Sequence, residues 1–432
     1  MNVADSQAMA QALAPDYVLT ARAEDADLFL INTCAIRRKS EEKVKSLLGS
    51  LRGLKKARPR LLIGVGGCVA QQEGKRLLAA APHLDLVFGP RALPRLPELV
   101  ARAGRGERPV DVELTTGMPE ALCPTHPGRA QALVTIMQGC DNFCAFCVVP
   151  YVRGREESRE PGAILREVAV FLAGGGLEVT LLGQNVNSYG RGLAEPVTFA
   201  QLLRSIAALP GLARLRFATS HPRDLSPELI ALFGELPPLC EHLHLPVQSG
   251  SSRVLATMNR GYTREQYLER VAALRRACPD IALTTDLIVG FPGETDADFE
   301  DTLTLMQEAA FDGAYSFKYS PRPQTRAAGL PGQVSEEVKA ARLARLQALQ
   351  NELTLRSNSR LVGRVSEVLV EGASRRSPRE LSGRLRTNQV VNFPGPPELA
   401  GRLATVELTE AHPHSLKGRW LEARSASWPL VA

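Results

Sequence analysis

Residues 138–156 read QGCDNFCAFCVVPYVRGRE and hold Cys140, Cys144 and Cys147, three of the eight cysteines of the chain, within eight residues. Clustered thiols are metal ligands where they stay reduced and disulfide partners where they do not. The first residues, MNVADSQAMAQALAPD, carry neither a basic start nor an apolar core, so no signal peptide is expected. No run of about 18 apolar residues occurs, which leaves no candidate for a transmembrane helix. The chain is therefore expected in the cytoplasm, and the cysteine loop reads as a metal site.

The loop directly follows LVTIMQ, the first of six short runs read as strands of one β/α series. The others are EVTLLGQN, RLRFATS, EHLHLPVQ, IALTTDLIVGF and AYSFKYS. Helical stretches separate them, among them PGAILREVAVFLAGGG and DADFEDTLTLMQEAA. Six strand–helix units imply a partial parallel barrel, short of the eight of a closed one, over residues 131–358. VSEEVKAARLARLQALQNELTLRSNSRL reads as a long helix leading out of it.

Working upstream, LFLIN (28–32), LLIGVG (61–66) and LDLVFG (84–89) are buried parallel strands by pattern. SEEKVKSLLGSLRGLKKA, with Ser40 as its N-cap, and QQEGKRLLAA supply helices between them. Residues 1–103 thus form an open α/β domain. Residues 4–13 look helical with no strand before them, so the domain opens one strand late. A Pro- and Gly-rich stretch, 104–130, reads as a linker. At the other end, VSEVLVEG, LSGRLR, QVVNFPG and LATVELTEAHP pattern as a small all-β barrel over 359–425.

A chain of 432 residues with 44% hydrophobic and 23% charged side chains fits two or three soluble domains. Its net charge is +6, and residues 356–432 hold 12 Lys and Arg against 7 Asp and Glu. Most of the surplus therefore lies in the last module, which suits either a polyanion partner or a merely soluble basic domain.

Three thiolates at C-x3-C-x2-C spacing suit three irons of a [4Fe–4S] cube and leave the fourth iron free to bind substrate. A structural zinc would want a fourth Cys or His nearby, and none lies within ten residues on either side. The strand ends that carry the loop also carry Gln184, Asn185, Ser220, His221, Gln248, Ser249 and Asp286. Each of these polar groups either orients a ligand or simply ties down a loop. His242 and His244 alternate on one strand and face one side, as packing or cofactor contacts would require. Cys123, Cys240 and Cys278 stand alone and read as plain thiols. Cys34 and Cys68 each follow an apolar parallel strand, so both are expected in the crevice at one end of that sheet.

The C-x3-C-x2-C loop, with Phe146 before its last cysteine, resembles the radical S-adenosylmethionine superfamily, whose partial barrel fits the six units. NTCAIRRKSEEKV, IGVGGCVAQQEG, LLGQNVNSYG, LHLPVQSGS and LVGRVSEVLVEGASRRSPRELSGR extend the likeness to about residue 420. Together they resemble the methylthiotransferase family, and most of all its branch acting on N6-isopentenyladenosine in tRNA. The resemblance implies S-adenosylmethionine and two [4Fe–4S] clusters as cofactors. The first cluster falls to Cys140, Cys144 and Cys147. An auxiliary cluster falls to Cys34, Cys68 and a third cysteine in a Gly-Cys-Gln-Met-Asn segment that this sequence, beginning Met1-Asn2, lacks. A start assigned too far downstream is the expected reason.

The resemblance further implies that one S-adenosylmethionine methylates a sulfur at the auxiliary site. A second yields the radical that takes hydrogen from carbon 2 of adenosine 37. Gln184, Ser220, Gln248 and Asp286 become candidates for the cofactor or substrate pocket. The last module becomes a TRAM-like RNA-binding barrel, with Arg364, Arg375, Arg376, Arg379, Arg384 and Arg386 as candidate contacts. An electron donor such as a flavodoxin-type reductant and a sulfur donor complete the partners. The alternatives are a sister enzyme for threonylcarbamoyl-adenosine or a ribosomal-protein aspartate, and a non-catalytic zinc-bearing RNA-binding protein.

Overall fold

The computed structural model describes residues 1–34, 38–117, 128–375 and 377–422, without the side chains of residues 38–41. Cys123 and Arg376 fall outside these residues.

The amino-terminal domain is a parallel sheet in sequence order: β1 (Leu28–Thr33), β2 (Leu62–Gly67), β3 (Leu86–Phe88) and β4 (Val110–Asp111). Glycines in β2 set its packing distance, because a Cβ at Gly66 would lie 2.4 Å from the Phe88 ring. Helix Asn2–Leu13 stands before β1, as expected, and buries Ala8, Met9 and Leu13 against Phe88, Leu96 and Leu99. Helix Arg38–Ala57 packs Val44, Leu48 and Leu51 on the opposite face of the sheet. It already runs at Arg38, so Ser40 lies in its first turn and is not its N-cap.

Two further expectations change here. The single helix over 71–80 is two, Cys68–Glu73 and Lys75–Ala80. Gly74 between them has φ +49°, and the chain turns at the residue that tolerates it. The linker, in turn, is partly structural. Val110 and Asp111 form β4 because Gly89 N–H donates to the Asp111 carbonyl at 2.7 Å, while Arg95 grips the Asp111 carboxylate at 2.6 Å.

The central domain has six parallel strands around one lumen. They are β5 (Gln131–Thr135), β8 (Glu178–Leu182), β9 (Arg214–Ala218), β10 (His242–His244), β11 (Ala282–Val289) and β12 (Gly313–Lys318). They pair as β5-β8-β9 and β10-β11-β12, and a parallel bridge from Leu215 to Leu239 joins the halves. Leu215, Phe217, Leu243 and Leu283 face the surrounding helices and form the main core. The side chains between them point into the lumen. LVTIMQ is not one strand: Met137–Gln138 turns off as β6 and pairs antiparallel with β7 (Glu157–Ser158). This ribbon pins both ends of the cysteine loop.

Helix Glu336–Ser359 runs beside β12 into a closed barrel of β13 (Val365–Ala373), β14 (Leu381–Arg384), β15 (Val390–Phe393), β16 (Leu403–His412) and β17 (Ser415–Trp420). The sequence pattern does not mark β17, since in SLKGRW the buried positions are Leu416 and Gly418 and only the first is apolar by side chain. The small barrel closes the lumen at the end where the parallel strands begin. There Arg214, fully buried, donates to the carbonyls of Arg384 at 2.8 Å and Glu367 at 2.9 Å. Arg216 donates to the carbonyls of Leu385 and Arg386, both at 2.7 Å, and to Glu178 at 3.0 Å.

Candidate metal centres

The cysteine loop lies at the opposite end of the lumen, past the C-terminal end of β5. Its path is fixed by residues that accept unusual backbone angles. Gly139 has φ +82°, and a Cβ there would fall 1.9 Å from the Arg155 carbonyl, so no other residue fits. Gly139 N–H donates to Gln184 Oε1 at 2.5 Å, and Ala145 N–H donates to the Met258 carbonyl at 2.8 Å. Phe143 is held at φ +46° by Asn259, whose side-chain amide donates to the carbonyls of Asn142 and Phe143 at 3.2 and 3.1 Å.

These constraints gather three free thiols. Cys140 and Cys144 are buried and Cys147 is half-buried; Cys140 feels the charge of Cys144, and Cys147 that of Cys144 and Cys140. Burial pushes Cys140 up to about 11 and Cys147 up to about 12, so an added cation would have to displace their protons. Among the described residues no three His, Cys, Asp or Glu side chains surround a single point, as one zinc ion would need. A cube takes each thiolate on a different iron. The sequence pattern missed Arg260. It is buried, donates from Nη1 to Cys144 Sγ at 3.3 Å, and is held by the Pro246 carbonyl at 2.6 Å and the Tyr262 hydroxyl at 2.9 Å. Its only signal is its place in the loop stretch Asn259-Arg260-Gly261, where both neighbours have positive φ.

Beside the loop, the ends of β8 and β9 carry polar atoms that are buried without a protein partner. They are Gln184 Nε2, Asn185 Oδ1, the Ser220 hydroxyl and His221 Nε2. Native proteins seldom leave such atoms unmet, so this cradle fits a polar cofactor lying across the strand ends. Gln248 joins the strands through its backbone: its N–H donates to the Asp286 carbonyl at 2.9 Å, with φ at +79°. Asp286 lies 3.6 Å from His244 Nε2, and His244 and His242 share the Thr284 hydroxyl at 3.0 and 3.2 Å. Ser249 is fully buried and accepts from Ser251 N–H at 3.2 Å, so it ties the loop and does not face the lumen.

His221 is neutral here, because burial and then Arg260, Arg223 and Arg270 push it down to about 2. Below about pH 6.5 the unfolded chain takes a proton that the folded chain refuses, so stability falls by about 1.4 kcal/mol per pH unit. Urea unfolding at pH 7.5 and 5.5 checks this. The difference between the two should shrink by about 1 kcal/mol in His221→Asn, and an unchanged difference contradicts it.

The second pair of cysteines meets as expected. Thr33 pairs with Gly67 across β1 and β2, which brings Cys34 and Cys68 level. Cys68 feels the charge of Cys34, and the Met1 amine, Asp5 and Arg153 stand in the same pocket. Burial raises the Cys68 thiol above its ordinary value. Cys68 and Val69 pack on Val148 and Val152, immediately after Cys147, so the two cysteine sites sit back to back. Arg91 fixes this join by donating to the Arg153 carbonyl at 3.2 Å and to Glu157 at 2.8 Å.

The candidate RNA contacts divide. Arg364, Arg375 and Arg379 are exposed. Arg384 is paired with Glu371 at 2.8 Å. Arg386 is spent on the domain junction, gripping Glu241 at 2.8 Å and the Leu239 carbonyl at 2.9 Å. Charge counting cannot separate such an arginine from a free one. A cleft of about 580 Å³ lies between the small barrel, the long helix and β12, with Asp312, Asn351, Arg384 and Asn388 on its walls.

Residues 134–306 match the Radical SAM superfamily, residues 1–89 the uncharacterized protein family UPF0004, and residues 359–421 the TRAM domain. The chain is 53% identical to the tRNA-2-methylthio-N(6)-dimethylallyladenosine synthase of Geobacter metallireducens over 97% of this chain and 95% of that one. It is 50% identical to the enzyme of that name from Moorella thermoacetica, over 98% and 96%. Among solved structures, a radical S-adenosylmethionine methyltransferase, TsrM of Kitasatospora setae, shares the fold. Its TM-score is 0.55 at 16% identity, covering 75% of this chain and 70% of that one.

Proposed function

The chain belongs to the tRNA-2-methylthio-N(6)-dimethylallyladenosine synthase family of radical S-adenosylmethionine methylthiotransferases, and from that premise we infer that it adds a methylthio group to carbon 2 of N6-isopentenyladenosine at tRNA position 37. The observation that carries this reading is identity of about half, sustained through all three domains.

Cys140, Cys144 and Cys147 would hold one [4Fe–4S] cluster, with the cradle at Gln184, Asn185, Ser220 and His221 receiving S-adenosylmethionine. Cys34 and Cys68 would hold two irons of the auxiliary cluster, with a non-cysteine group as its third ligand. When bound, the cluster and S-adenosylmethionine supply a radical able to take hydrogen from an aromatic carbon that has no acidic proton for a side-chain base. Arg260 keeps a fixed positive charge against the Cys144 sulfur in a buried setting, where such a charge acts strongly. Neutral His221 offers its ring as a hydrogen-bonding group without adding a charge beside Arg260. The burial of Cys140 and Cys144 limits water at their sulfurs. The exposed Arg364, Arg375 and Arg379 contact phosphates, and an anticodon-loop base can be splayed into the lumen. We place the reaction in the cytoplasm, with electrons from a flavodoxin-type reductant.

The test is nucleoside mass spectrometry after anaerobic reaction of the reconstituted enzyme with S-adenosylmethionine and tRNA. A methylthio nucleoside should form from tRNA bearing N6-isopentenyladenosine and not from tRNA bearing threonylcarbamoyl-adenosine. The reverse would assign the sister activity. In Cys68→Ala, S-adenosylmethionine cleavage should persist while the methylthio nucleoside drops to background. Product at the unsubstituted level would remove Cys68 from the sulfur site.

A further inference from the structure

Arg260 is a buried cation, 4% exposed, whose bonds all go to groups other than carboxylates. It donates to the Pro246 carbonyl at 2.6 Å, the Tyr262 hydroxyl at 2.9 Å and Cys144 Sγ at 3.3 Å, and its guanidinium carbon lies 5.4 Å from the centre of the Tyr262 ring. Among the described residues no Asp or Glu pairs with it. The buried Arg91, Arg153 and Arg342 each have such a partner, in Glu157, Asp5 and Glu294. Nearby Arg223 has Asp224 at 3.6 Å. A guanidinium keeps its proton inside a protein, and a buried charge without a counter-charge is costly. Of the three groups that Arg260 bonds, only the Cys144 sulfur takes up negative charge by binding a metal. The missing counter-charge is therefore the metal-bound thiolate.

The charge is also fixed in place. Asn259 and Gly261 on either side have φ +58° and +70°, and Tyr262, itself buried, donates to the Val247 carbonyl at 2.9 Å. A cation held this way needs no rearrangement when charge develops beside it. Net charge and hydrogen bonds at the sulfurs set the potential of an iron–sulfur cluster. Taking up one electron adds one negative charge there and moves no proton at Arg260, which is charged before and after. In an interior, where screening is weak, a neighbouring cation favours the more negative state. We propose that Arg260 raises the reduction potential of the cluster at Cys140, Cys144 and Cys147, easing electron transfer from a one-electron donor. This rests on the reading of that loop as a [4Fe–4S] site. Arg260 acts through Cys144 and is in that sense a positioning residue.

The test uses the full chain carrying Cys34→Ala/Cys68→Ala, so that one cluster remains, reconstituted without oxygen and with iron measured per chain. The midpoint is read by electron paramagnetic resonance during reduction with dithionite through mediator dyes, before S-adenosylmethionine is added. Arg260→Met should keep about four irons and lower the ratio of reduced to oxidised cluster at a set potential about tenfold, a shift of about 59 mV to the negative side. Arg260→Lys, which keeps the charge and loses the fork, should recover most of that ratio. An unshifted midpoint in Arg260→Met overturns the proposal. So does an equal fall in both variants, which would make the effect one of packing. If Arg260→Met loses iron, Arg260→Gln decides, because it keeps a donor without the charge. A lowered midpoint there supports the proposal, and an unshifted midpoint or a second loss of iron overturns it. Nucleoside analysis with Cys34 and Cys68 restored separates this from the assigned reaction. A lowered midpoint in the variant, with no methylthio nucleoside from the chain that keeps Arg260, counts against the reaction and leaves Arg260 in place. Product with an unshifted midpoint removes Arg260 alone.

Discussion

Cys144→Ala is expected to bring reductive cleavage of S-adenosylmethionine to background while the chain stays folded. The loop that carries Cys144 does not depend on its sulfur for shape. Ala145 is tied on both sides, its N–H to the Met258 carbonyl and its carbonyl to Ala327 N–H, each at 2.8 Å. Asn259 and Gly139 fix the rest. Loss of one small buried sulfur should cost about 1 kcal/mol, and Arg260 keeps its bonds to Pro246 and Tyr262. The catalytic loss is of another order, because two thiolates cannot hold three irons of a cube. Formation of 5′-deoxyadenosine by chromatography and thermal melting of the metal-free protein check both halves. Cleavage at the unsubstituted rate would remove Cys144 from the ligands, and a collapsed melt would mean that the sulfur shapes the loop.

Arg214→Met should have the second largest effect, and at the far end of the lumen. Arg214 is wholly buried and donates to Arg384, Glu367 and the Glu367 carboxylate, with the Glu178 carboxylate 3.9 Å away. The change leaves buried carbonyls unmet and takes one of two cations from Glu178, whose other partner is Arg216. Breaking a buried charged network by one member costs about 3–5 kcal/mol. The small barrel should then loosen from the partial barrel, and protease should cut near residues 360–364 much faster. Cleavage of S-adenosylmethionine should survive, since the cysteine loop lies at the other end, while tRNA methylthiolation falls. Protease resistance equal to the unsubstituted chain would mean that these bonds do not hold the junction. Truncation after residue 359 is a poor test of RNA binding for the same reason, because it removes the acceptors of Arg214 and Arg216.

The parts of the fold that were legible in the sequence are those with a strong period. Six apolar runs separated by helices could only be a parallel series, and the loop of Cys140, Cys144 and Cys147 does follow the first strand of that series. Cys34 and Cys68 were placed correctly because both follow apolar strands, and adjacent parallel strands bring such positions level. What stayed hidden was pairing across long separations. Nothing local in RLRFATS says that Arg214 and Arg216 will meet the carbonyls of residues 367 and 384–386. For the same reason Arg386 looked like a phosphate contact, although Glu241 neutralises it. Arg260 and Arg153 were invisible for a related cause. An arginine in a loop is ordinarily solvated, and only the closed fold shows these two buried against sulfur. Short elements also escaped, such as β4 and the Met137–Gln138 ribbon, because two residues carry no period.

The most direct test of two opposed iron–sulfur sites is iron, sulfide and zinc per chain after reconstitution without oxygen. The account predicts about eight irons with matching sulfide, and about four in Cys34→Ala/Cys68→Ala. Four irons in the unsubstituted chain would contradict the amino-terminal site, and zinc without iron would contradict both.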